Sequence, residues 1–79
     1  MGRILITEKE LVKILNNELG KVEDSGGYNF THVMRLRDQD KNGCNWTEAS
    51  LAGSGVPVKP MVPVAERIVF EAKKKYNLK

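Results

Sequence analysis

Apolar residues recur at Leu11, Ile14, Leu15, Leu19 and Val22, the i, i+3, i+4 spacing of one buried helical stripe, while Lys9, Lys13, Asn16, Asn17 and Lys21 occupy the other faces. Thr7 and Glu10 have the spacing of a capping box, and Ile6 and Leu11 that of a hydrophobic staple. Together these signals predict a helix from Glu8 to Lys21, with Gly20 weakening or ending it. Arg3 to Ile6 is expected to form a short strand or an extended lead-in, and Glu23 to Gly27 a polar, glycine-rich connection.

From Tyr28 the period falls to two. Phe30, His32, Met34 and Leu36 alternate with Thr31, Val33, Arg35 and Arg37, so the first set is expected to face the core of a half-buried strand. Turn residues concentrate between Asp38 and Gly43, and Asn42-Gly43 suits positive φ, which predicts a hairpin with a second strand from Cys44 to about Ala52. Alternation is weaker there, because Glu48 and Ser50 continue on the face of Trp46, the pattern of a bulge or an early end. After the loop from Gly53 to Pro57, the prolines Pro57, Pro60 and Pro63 keep the chain extended until a helix starts near Met61 or Pro63. Met61, Val64, Ala65, Ile68, Ala72 and Tyr76 form its inward stripe. Glu66 near its start and Lys73, Lys74 and Lys75 at its end complement the helix dipole.

The order helix, hairpin, helix predicts one small α+β domain over residues 1–79. Its two helices cover one face of an antiparallel β-hairpin that a short third strand can extend, in two layers. Leu11, Leu15, Leu19, Phe30, Met34, Leu36, Trp46, Ile68 and Ala72 are the expected core. The 41% hydrophobic and 29% charged composition is that of a globular chain, and no apolar run approaches the roughly 20 residues of a membrane span. So small a chain buries only about 60 to 65% of its unfolded surface, which makes association a useful source of stability. The lone Cys44 rules out an internal disulfide. Because no leader-like apolar segment opens the chain, a cytoplasmic setting away from membranes is expected.

The segment Asp38-Gln39-Asp40-Lys41-Asn42-Gly43 opens like a calcium loop, with oxygens at positions 1, 3 and 5 and glycine at 6. Its second half departs: Ala49 replaces the bidentate Glu, and Asn45 stands at the apolar anchor. A polar hairpin turn is therefore expected, with a metal site on Asp38, Asp40 and Asn42 as the alternative. Cys44 and His32 are a nucleophile and a base by type, but paired strands would hold them about 13 Å apart at roughly 3.3 Å per residue. Cys44 is expected as a buried small apolar residue beside Trp46. The chain has no histidine pair at metal-ligand spacing, no cysteine cluster and no glycine-rich phosphate loop. The expectation is a protein that is not an enzyme, with no catalytic residue, metal or cofactor.

Two surfaces are left to carry a function. Phe70 lies about 200° from Ile68 around the last helix, and Val62 and Val69 broaden its apolar surface, so Phe70, Val62 and Val69 are the expected contact for a protein partner or a homodimer. Charge is uneven as well: residues 1–27 carry −1, residues 28–58 carry 0 and residues 59–79 carry +4. Lys73, Lys74 and Lys75, joined by Arg35 and Arg37, are the alternative, a surface for nucleic acid.

The run Asp40-Lys41-Asn42-Gly43-Cys44-Asn45-Trp46, with Gly55-Val56-Pro57 and the ending Ala72 to Tyr76-Asn77-Leu78, resembles a group of small uncharacterised bacterial proteins sharing a D-x-x-G-C-N-W turn and a G-V-P loop. The resemblance covers about the last 50 residues of the chain. It implies a bacterial, cytosolic, stand-alone protein and brings no catalytic or ligand residues with it. The element order is also similar to that of double-stranded RNA-binding domains, which implies RNA as a ligand to test. That family sets its lysines at the start of the final helix, where Pro60 to Val64 stand here.

Overall fold

The capping box forms as the spacing predicts. In the computed structural model, which describes residues 4–23, 25–41 and 43–79, the Thr7 hydroxyl accepts the Glu10 N–H at 3.1 Å and the Glu10 carboxylate accepts the Thr7 N–H at 2.9 Å. The expectations for Arg3 and Asn42 lie outside those residues. Helix α1 (Glu8–Leu19) buries Leu11, Leu15 and Leu19. It ends two residues before the expected Lys21, because the N–H groups of Lys21 and Val22 turn back to the carbonyls of Glu18 and Leu19 and tighten the chain beyond Gly20.

Strands β2 (Tyr28–Arg35) and β3 (Trp46–Gly53) form the antiparallel hairpin. The expected facing of β2 fails halfway along it. Between Phe30 and Val33 three residues are traversed while β3 moves only from Leu51 to Ala49, and this bulge turns the strand over. Val33 is therefore buried at 5% exposure and Met34, expected in the core, is 53% exposed. His32 is turned outward by the same bulge, and Leu36, beyond the strand end, is half-buried. A second irregularity, between Val33 and Arg35, adds a residue to β3 around Glu48, where alternation weakens, and leaves Trp46 fully buried.

A 3₁₀ turn (Lys59–Met61) leads into α2 (Val62–Lys73), and Pro60 and Pro63 fall in first turns, where a missing N–H breaks no helical bond. Ala65 and Ala72 are buried, with Ile68 half-buried against them. Tyr76 is not on this helix. Residues Tyr76–Leu78 form β4, which pairs in parallel with β1 (Ile4–Ile6), so that Ile4 faces Tyr76 and Ile6 faces Leu78. The short first strand thus joins the end of the chain instead of extending the hairpin, and among the described residues the α+β fold has two two-stranded sheets.

Helix α1 packs on β2, β4 and α2, while α2 packs on β3 and β4, which places the core between the helices and both sheets. After β3 the loop folds straight back. A Cβ at Gly53 would come within 2.5 Å of the Val56 carbonyl, so only glycine admits this return, which the Tyr28 hydroxyl secures on the Pro57 carbonyl.

Leu15 is fully buried, and Leu15→Ala is expected to cost about 2 to 5 kcal/mol, read as a lowered urea midpoint at unchanged m-value. The backbone N–H of Thr7, followed by its hydroxyl, holds the Glu10 carboxyl below its ordinary value of 4.5. The stability this contributes is present above the unfolded pKa and is lost as pH falls through the lower folded one. Glu10→Gln, which keeps an acceptor but cannot titrate, is expected to flatten the acid limb of stability against pH in denaturant melts.

Candidate functional site

The turn before β3 is built from the residues that the sequence marks as chemically suggestive. Gly43 adopts φ +85° and its N–H bonds the Asp40 carbonyl at 2.9 Å, while the Asp40 N–H bonds the Cys44 carbonyl at 2.9 Å. Asp40 Oδ1 accepts the Cys44 N–H at 3.0 Å, and its Oδ2 lies 3.8 Å from Lys73 Nζ. Asp40 therefore caps the turn and links it to the end of α2. Asp38 is exposed. Among the described residues no three His, Cys, Asp or Glu side chains are grouped so as to hold a metal ion.

Asn45 and Trp46 fasten the hairpin to the chain end. Asn45 Nδ2 donates to the Leu78 carbonyl and Asn45 Oδ1 accepts the Leu78 N–H, both at 2.8 Å, so one side-chain amide does what a neighbouring strand would do. Trp46 Nε1 donates to the Tyr76 carbonyl at 3.0 Å, and Asn77 Nδ2 to the Gly43 carbonyl at 2.8 Å. Cys44 is buried, its thiol donating to the Trp46 carbonyl. Asn77 Oδ1 is buried and has no hydrogen-bond partner among the described residues.

Cys44 and His32 are not brought together as a pair. Cys44 sits in the core, whereas His32 lies on the exposed face of the hairpin with Nε2 3.1 Å from Ser50 Oγ and Nδ1 3.2 Å from Thr31 Oγ1. The contact with Ser50 depends on the β2 bulge, and sequence spacing holds no signal for it.

A groove of about 470 Å³ lies between β3 and α2. Val62, Val69 and Phe70, the three residues expected as a partner surface, all line it, and Phe70 is 60% exposed. Ala49 and Leu51 of β3 form the opposite wall, with Val58 from the loop. Sequence reasoning missed these, although their i, i+2 alternation on β3 marks one face. Glu48, Glu66 and Lys73 supply charge to the lining, and the ammonium of Lys74 sits 4.5 Å from the Phe70 ring centroid.

The basic residues gather only in part. Arg35 Nη2 donates to the Lys79 carbonyl at 2.6 Å, which brings the end of β2 to the C-terminal end. Lys73 faces Asp40, and Lys74 lies 3.6 Å from Glu71, so carboxylates accompany two of the expected phosphate contacts. Arg37 and Lys75 are exposed. Compared with known proteins, the chain matches no protein-family model, no curated protein and no solved structure.

Asn45→Ala removes both bonds to Leu78 and is expected to destabilise the fold by about 1 to 3 kcal/mol in denaturant unfolding. Amide exchange at Leu78 should rise more than at Leu15, because the clasp opens before the core.

Proposed function

We propose that this chain is a non-enzymatic protein-interaction module that docks a partner in the groove between β3 and α2. The observation that carries this reading is Phe70, a large aromatic residue 60% exposed at the edge of an apolar groove whose other walls are already ordered by the core. A rigid aromatic anchor beside a preformed concavity loses little entropy on binding. The size of the chain favours the same conclusion, since a 79-residue fold gains from covering apolar surface that it cannot bury itself. The expected cytoplasmic setting and the resemblance to small bacterial proteins belong to this proposal too. The second reading, nucleic-acid binding, draws on the contact between Arg35 and Lys79, which sets a strand arginine beside the C-terminal cations. The acidic neighbours of Lys73 and Lys74 favour the groove over it.

A photo-cross-linking residue in place of Phe70, irradiated in cells, is expected to give protein adducts that the same residue in place of the exposed Lys13 on α1 does not. Equal yields at the two positions would overturn the groove as the interface. Adducts to nucleic acid from the positions of Arg37 and Lys75 alone would favour the second reading.

A further inference from the structure

Resting on that reading of the groove, we infer that its occupant is a second copy of this chain, whose α2 lies antiparallel to the first. Around α2, at 100° per residue, Glu66 and Lys73 fall within about 20° of each other, and Val69 and Phe70 lie about 50° to either side of them. All four line the groove, Val69 half-buried against the core and Glu66 and Phe70 exposed. Along the axis the stripe reads acid, apolar, apolar, base. It is antisymmetric in charge about a point between Val69 and Phe70.

That arrangement discriminates between partners and between orientations. A two-fold axis through the midpoint sets Glu66 level with Lys73 of the other copy, and Val69 level with the other copy's Phe70. Two ion pairs, about 10 Å apart at a 1.5 Å rise per residue, then bracket the apolar centre. A parallel pairing sets Glu66 against Glu66 and Lys73 against Lys73, and like charges in register repel. Ala49 and Leu51 of β3 floor the groove, so the incoming Phe70 meets an apolar wall as well as the helix. Lys73 also keeps its ion pair with Asp40, at 3.8 Å.

Sedimentation equilibrium of the purified chain, from low micromolar to submillimolar concentration, is expected to show a reversible monomer–dimer equilibrium. Glu66→Lys or Lys73→Glu alone places like charges at both ends of the seam and should weaken the dimer by at least about tenfold. Mixing the two single variants sets lysine against glutamate at both ends. The mixed dimer should then form in preference to either homodimer. A wild-type chain that is monomeric throughout would overturn the proposal, and so would variants that dimerise as the wild type does and mix statistically. Lys73→Glu also faces Asp40, so its fold is checked by circular dichroism. Should it unfold, Val69→Cys is the independent readout: mild oxidation should cross-link it covalently across the axis but leave Ser50→Cys, on the exposed face of β3, without a disulfide-linked dimer, and the reverse result overturns the pairing. A monomer whose position 70 cross-links to a different protein would refute the self-pairing while the interaction reading stands. A monomer that becomes heavy only with nucleic acid refutes both.

Discussion

Asn45 gives the backbone of Leu78 a carbonyl and an N–H in the geometry of a peptide group, and through this one side chain the hairpin and the terminal strand pair become a single body. β4 has three residues and β1 has three, too few to be stable as an isolated pair in water. On one flank β4 is held by the β1 ladder, and on the other by Asn45, Trp46 and the side chain of Asn77 itself. Polar groups buried at this junction would cost more unpaired than they contribute when paired, so the amide must be present and correctly aimed. A second amide does the same on the other side of the molecule, where Asn16 of α1 both donates to the Phe30 carbonyl and accepts the Phe30 N–H, covering the outer edge of β2.

The clasp also sets the position of α2. Its last turn is tied to the turn by Lys73 and Asp40, and the chain beyond it is pulled inward by β4, so the stripe through Ala65 and Ala72 is pressed on the core. Both constraints act at the C-terminal end of α2, and Phe70 stays 60% exposed. The exposed aromatic ring follows from how the core is satisfied elsewhere, and the groove beneath it is walled in part by Ala49, Leu51 and Val69, which pack on that core. A preformed surface of this kind is what a binding face needs if little ordering is to be lost on contact.

The D-x-x-G-C-N-W run shows how chemical-looking residues can be absorbed by architecture. Asp40 caps, Gly43 turns, Cys44 packs, Asn45 pairs and Trp46 both fills the core and donates to the chain end. The Asp40 carboxylate and the Cys44 thiol both bond backbone groups of the turn and strand. On α2, Val62 and Phe70 are exposed and Val69 is half-buried against the core.

Local signals were enough for the capping box at Thr7, the α1 stripe, the hairpin, the proline-led start of α2 and the exposed position of Phe70, because each depends on neighbours within four residues or on a fixed period. Residue order alone determined these, along with the buried position of Cys44. The bulge between Phe30 and Val33 was not legible, since alternation continues through it on paper and only packing against α1 decides that Val33 rather than Met34 goes inside. The strand at Tyr76 was equally hidden: three residues carry no period, and their partner lies at the far end of the chain. The wall of the groove formed by Ala49 and Leu51 likewise exists only once β3 has been placed beside α2. Tertiary structure decided these features because each joins segments distant in sequence, and a pairing between distant segments leaves no mark on either until the chain has closed.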